Sequence, residues 1–310
     1  MPNSFNELKH LSKSGESLKT VRGLLRYDLG THKKTRLKLA GATTRLSLLH
    51  DSIARTHANR LCKELQRRAR IVGPKAKDRF RFITILHCVV EPEIEEVSRL
   101  CSNLRAQYKS ALSRWNLWSR GVIELELVNL ALLQKISQQT DDEARKLNVL
   151  SSLTPKEEFG GLLIPGSKSA TRVLIHCHAV IDLGHDIEAN EIKLRKQLNR
   201  FWYDIPYQVR IDKMSVNKAL LSSLRDIARY VTKGGNENLR YNAGFGRDLA
   251  EDLEAKIWRA GLGRKDAGGE QIEDERGLTV GEVALLNDLC WTLMKQRRSN
   301  RGYLLSTSDR

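Results

Sequence analysis

Two histidines separated by a single residue, His176-Cys177-His178, lie in the apolar run Arg172–Gly184, RVLIHCHAVIDLG. The run is rich in branched aliphatic residues and reads as a strand. Side chains alternate across a strand, so His176 and His178 project to one face, followed by Val180. Val173, Ile175, Cys177, Ala179 and Ile181 form an unbroken apolar stripe on the other face. Upstream, Gly121–Asn129, GVIELELVN, alternates as cleanly, with Glu124 and Glu126 on one face and Ile123, Leu125 and Leu127 on the other. If the two strands pair antiparallel with their faces in register, His176 and His178 converge with Glu124 or Glu126. Two imidazoles and a carboxylate make a divalent-metal site. A strand histidine is equally at home as a hydrogen-bonded core or surface residue. The weight of the pair comes from the acids on the neighbouring strand and from the helix that follows.

That helix, Asn217–Lys233, carries Tyr230 and Lys233. Residues three apart are neighbours on a helix surface. Tyr230 sits among apolar residues and would serve as a core aromatic with its hydroxyl at the rim. Beside a metal it has a second use. A phenol has a pKa of about 10 and is a poor nucleophile near neutral pH. A nearby cation, and a metal that polarises a phosphate, would make its attack feasible.

These groups need a scaffold, and the flanking pattern supplies one. Thr43–Arg70 repeats its apolar residues at helical spacing and ends at the Gly73-Pro74 break. Phe80–Val90, FRFITILHCVV, is a strand. Glu91-Pro92-Glu93 opens a helix that runs to about Trp118. After Gly121–Asn129 the stretch from Leu130 to Thr171 is less regular, an excursion between paired strands. Beyond the histidine strand come a helix over Ile187–Tyr203, a strand over Tyr207–Ile211 and the amphipathic tyrosine helix, closed by Gly234-Gly235. Further helices are expected at Leu249–Ala260 and Val280–Arg297. The order strand, helix, strand, strand, helix, strand predicts an α+β fold. Its ferredoxin-like βαββαβ core is an antiparallel sheet with the helices on one face and the other face open. Helical extensions lie on both sides: a basic, largely helical N-terminal segment over 1–78, the core over 79–235 and a helical C-terminal extension over 236–310.

The 310 residues carry 53 Lys and Arg against 37 Asp and Glu, a formal charge of +16. A polyanion such as nucleic acid is the partner this favours. Residues 1–78 hold 18 basic and 6 acidic side chains, a net of +12. Arg60, Lys63, Arg67, Arg68 and Arg70 crowd the end of the first helix. They suit the helix dipole as structural cations, and they suit a phosphate backbone as DNA-binding residues. Five cysteines with no Cys-x-x-Cys fit a reducing compartment. With neither a signal-peptide core nor an apolar run long enough to span a bilayer, the chain is expected in the cytoplasm, with no membrane partner.

Taken together, the chain resembles the HUH (His-hydrophobic-His) endonucleases, the superfamily of rolling-circle replication initiators, relaxases and single-strand transposases. His176-Cys177-His178 fits the histidine strand, Ile227-x-x-Tyr230-x-x-Lys233 is similar to the tyrosine motif of the replication initiators, and Phe82-Ile83-Thr84-Ile85 resembles their first-strand motif. The resemblance spans about half the chain, from Arg79 to Lys233. It implies an RRM-like sheet and strand transfer on single-stranded or hairpin origin DNA, dependent on Mg²⁺ or Mn²⁺. His176 and His178 would bind the metal, with Glu126, or else Glu124, as third ligand. Tyr230 would attack the scissile phosphate, leaving a 5′-phosphotyrosine and a free 3′-hydroxyl to prime replication, and Lys233 would assist. One tyrosine in the motif implies the one-tyrosine class, with Tyr241 beyond the double glycine. With no Gly-x-x-x-x-Gly-Lys-Ser/Thr loop, a host helicase and polymerase would be partners. The alternatives are a transposase or relaxase of the same chemistry, or a non-catalytic nucleic-acid-binding protein using the same sheet.

Overall fold

A computed structural model describes residues 51–113, 115, 117–129, 141–155, 171–202, 205–231, 280–295 and 304–307. The protein is α+β, built on a five-stranded antiparallel sheet in the order β4-β1-β3-β2-β5. The strands are β1 (Phe80–Val90), β2 (Trp118–Asn129), β3 (Thr171–Asp182), β4 (Val209–Lys213) and β5 (Leu304–Thr307). The helices are α1 (Asp51–Val72), α2 (Ile94–Ser113), α3 (Asp141–Leu153), α4 (Ile187–Leu198), α5 (Leu220–Val231) and α6 (Val280–Lys295).

The sequence explains most of these boundaries. On α1, Ala58, Leu61, Leu65 and Ala69 recur at three- and four-residue steps and are all buried. Gly73 then takes a φ of +76°, a conformation glycine adopts without steric penalty. Pro74 leads a 3₁₀ turn and a short helical turn, Ala76–Arg79, into β1. α2 begins two residues after Pro92, with Glu95 and Glu96 at its positive end.

β3 is central and pairs with β1 on one side and β2 on the other. The face of β3 that carries Ile175, Cys177 and Ala179 packs under α2, where the Tyr108 hydroxyl bonds the Ser119 hydroxyl beneath it. α6 joins the same core through Leu286, Leu289, Cys290 and Leu293. Gly121 lies opposite Ala179, where a Cβ would collide with the His178 carbonyl oxygen, so only glycine lets β2 and β3 close here.

The expectation of helices on one face is corrected. The histidine face is covered as well. Arg120, opposite Val180 on that face, bonds Glu64 of α1 at 2.8 Å. Tyr230 of α5 rests against His178. Leu150 and Leu153 of α3 pack on Leu86, Val128 and Leu174. The physical reason is that this face is mostly apolar: Val122, Val128, Leu174 and Val180 flank the imidazoles and must be buried.

Two further elements depart from the expectation. The irregular stretch after β2 contains α3. The C-terminal part is not a purely helical extension, since β5 pairs with β2 and completes the sheet. Arg120 and Thr307 clamp that edge, the guanidinium donating to the Thr307 carbonyl and the Thr307 hydroxyl to the Leu117 carbonyl. Residues 1–50, Lys233, Tyr241 and the helix expected at Leu249–Ala260 lie outside the described residues. No helix among the described residues is long and apolar enough to cross a membrane.

Candidate metal centre

β3 presents His176 and His178 on one face, 3% and 5% exposed. The antiparallel register sets Glu124 of β2 directly opposite His176 and Val122 opposite His178. Directly opposed residues share a face. The Glu124 carboxylate therefore reaches both rings, at 3.1 Å from His176 Nε2 and 3.9 Å from His178 Nε2. One ligand atom from each of Glu124, His176 and His178 falls within 4.8 Å of the others. Atoms about 2.1 Å from a shared ion lie about 3 to 4 Å apart, close to the spacing here, so the group could hold a metal ion.

Glu126, the expected third ligand, stands one pair further along β2, opposite Leu174, and does not belong to the group. Glu124 takes its place. The register decides between them: a shift of two residues along β2 would exchange the two acids without disturbing either face.

The shell behind the ligands is ordered. Thr84 of β1 pairs with His178, and its hydroxyl lies 2.9 Å from His178 Nδ1. A partner at Nδ1 fixes the ring's tilt and directs Nε2 at the carboxylate. Phe82 stacks on the same imidazole, centroids 5.4 Å apart and planes 11° from parallel. Nδ1 of His176 is buried with no hydrogen-bond partner among the described residues. Cys177, between the two histidines, points to the opposite face. Burial pushes its thiol well above the usual range, so it packs as an apolar group.

Tyr230 closes the site from α5. Its ring meets His178 edge to face at 5.3 Å and Phe82 at 6.5 Å. It is 39% exposed, so one side of the phenol faces solvent while the other lines the centre.

The basic residues of α1 divide. Arg68 bonds Asp182 at 2.8 Å and lies over the Trp118 ring, and Arg60 pairs with Glu64. Arg68 serves the fold, whereas the Arg60 pair is exposed, 3.4 Å long and of little strength. Lys63, Arg67 and Arg70 are exposed on a single helix face. Sequence reasoning missed Thr84 as the partner of His178, and missed the bulge at Leu86/Cys88 that turns His87 toward Trp202. Thr84 was within reach, since it alternates with Phe82 on a strand that must flank β3.

Compared with protein-family models, curated proteins and solved structures, the chain gives no significant match.

Proposed function

We propose that this protein is an HUH-type endonuclease that nicks single-stranded origin DNA by tyrosine attack, as a rolling-circle replication initiator does. The observation that carries the reading is the meeting of Tyr230 with His178 above the Glu124–His176–His178 group. A structural tyrosine has no need of a buried two-imidazole, one-carboxylate cluster beneath it. The β4-β1-β3-β2 succession within the sheet supports an RRM-like core, with α3 inserted between β2 and β3. The charge of +16 suits a polyanionic substrate.

In this reading a bound Mg²⁺ or Mn²⁺ would supply positive charge to the scissile phosphate. His176, His178 and Glu124 would hold the ion, and Thr84 and Phe82 hold His178 in position. The Tyr230 oxygen attacks phosphorus and its proton is released. The P–O3′ bond breaks, and the departing oxygen takes a proton and becomes the 3′-hydroxyl. The 5′ phosphate stays on the tyrosine, conserving the bond energy for later rejoining.

The alternative is a binding platform without catalysis. Such sheets present aromatic side chains to stack bases. Here the corresponding face buries histidines and a glutamate under α5, which favours the enzyme. Incubation with Mn²⁺ and single-stranded hairpin DNA separates the two readings. Nicked product from the wild type, with none from His178→Ala at undiminished DNA affinity, supports the nuclease. Binding without nicking across an origin library would favour the platform.

A further inference from the structure

The centre lies two strands from a sheet edge. In β4, Arg210 pairs with Thr84, which pairs with His178, so the three side chains share a face along one row. At a strand spacing of about 4.8 Å, Arg210 stands about 10 Å from His178. Among the described residues it pairs with Asp212 at 3.4 Å, an exposed pair of little strength. The guanidinium is therefore available to an anion.

One turn before β4 the backbone does something costly. Ile205-Pro206-Tyr207-Gln208 is closed by the Gln208 N–H donating to the Ile205 carbonyl at 3.2 Å. Proline holds the second position, and Tyr207 holds the third with a φ of +68°. That third position is the glycine site of a type II turn. A bulky residue in the left-handed region is strained. Tyr207 nonetheless stands 59% exposed, with the Arg145 guanidinium of α3 over its ring at 5.0 Å. A strained, exposed aromatic with an arginine beside it has the makeup of a base-stacking platform. The backbone N–H of Leu86, the residue opposite His176, donates to the Gln208 carbonyl, so Gln208 adjoins the His176 row as Arg210 adjoins the His178 row, and Tyr207 precedes Gln208 at the start of this edge.

We infer that the β4 edge seats the single-stranded DNA flanking the cleaved phosphate, Tyr207 stacking one base and Arg210 gripping a backbone phosphate. The inference takes the direction of the strand from the nuclease reading, but the surface is testable without cleavage. The probe is a fluorescein-labelled oligo(dT), titrated at low salt in EDTA and followed by anisotropy. Stacking of one base corresponds to about a fivefold or larger change in affinity. Tyr207→Gly should therefore weaken binding at least about fivefold while its melting temperature equals or exceeds that of the wild type, because glycine relieves the turn. Arg210→Gln should lower the log–log salt slope by about 0.7. Wild-type affinity in Tyr207→Gly, a lowered melting temperature in that variant, or no oligo(dT) binding by the wild type would each overturn the inference. The two readings separate cleanly. If no Tyr230 adduct forms but Tyr207→Gly still loses DNA, the edge surface stands and the nuclease falls. If the adduct forms and Tyr207→Gly binds normally, the nuclease stands and the edge surface falls.

Discussion

The Tyr230 phenol meets the His178 imidazole edge to face, ring centroids 5.3 Å apart and planes at 62°. The two residues are 52 positions apart in the chain and belong to different layers, one in the central strand and one in a helix above it. In the proposed reading the contact joins a nucleophile to a metal ligand, and the consequences below follow from it and from the shell that holds it.

Glu124 and not Glu126 belongs to the cluster that could hold a metal ion. Glu124→Gln should weaken Mn²⁺ affinity at least about tenfold, because a charged oxygen donor becomes a neutral one. Glu126→Gln should stay within a factor of about three, since that carboxylate lies off the cluster. Isothermal titration with Mn²⁺ checks both, and the reverse ranking would restore Glu126 as the ligand.

Thr84 acts through His178. Thr84→Val keeps the shape of the side chain and removes the hydroxyl that faces Nδ1. Metal affinity should fall about ten- to a hundredfold, and Thr84→Ser should recover most of it. A valine variant with wild-type metal affinity would reduce the threonine to a packing residue.

His87 should make the fold acid-sensitive over a defined window. Trp202 Nε1–H donates to its Nδ1 at 3.0 Å, which requires the neutral ring, and burial lowers its pKa from 6.5 to about 4. A base whose pKa is depressed on folding contributes its full stability above the unfolded value. That contribution is lost as pH falls from about 6.5 to about 4, where the unfolded chain binds the extra proton. The loss is about 3 kcal/mol. His87→Asn offers Trp202 an acceptor that does not titrate. Urea unfolding should show wild type and variant diverging by about that amount between pH 7 and pH 4, whereas parallel curves would contradict the assignment.

Asp182 ties three elements together. Buried at the end of β3, it accepts two bonds from Arg79, at 2.8 and 2.9 Å, one from the Arg68 side chain of α1 and one from the Gly184 backbone. Asp182→Ala leaves two guanidiniums without their anion in a largely dry site. Unfolding free energy should drop by about 3 to 5 kcal/mol, read by chemical denaturation, and a drop below about 1 kcal/mol would match only an exposed pair.

Much of the scaffold was legible in the chain. The alternation of β1 and β3 placed their ends within a few residues, and the β-branched run FRFITILHCVV gave β1 its observed limits. Period two brought both histidines to one face together with an acid. It could not choose the acid, because a strand pattern is unchanged by a two-residue slide and only the register separates Glu124 from Glu126. The covering of the histidine face was visible in principle. Leu174, Val180, Val122 and Val128 are too apolar for an open surface, but the imidazoles and glutamates drew attention away from them. α3 escaped because, among its described side chains, the buried ones, Val149, Leu150 and Leu153, sit in its second half. β5 escaped because four residues are too few for a periodic signal, and its place is set by pairing with β2. Tyr207 reads as an ordinary strand-start aromatic, and only the backbone angle distinguishes it.

The central claim is that Tyr230 forms a bond to DNA at this centre. The direct measurement is mass-spectrometric mapping of the protein after incubation with Mn²⁺ and single-stranded hairpin DNA, followed by nuclease and protease digestion. A nucleotide-modified peptide containing Tyr230, absent in EDTA, in Tyr230→Phe and in Glu124→Gln, is the predicted result. An adduct on another residue, or DNA cut with no covalent intermediate, would contradict it.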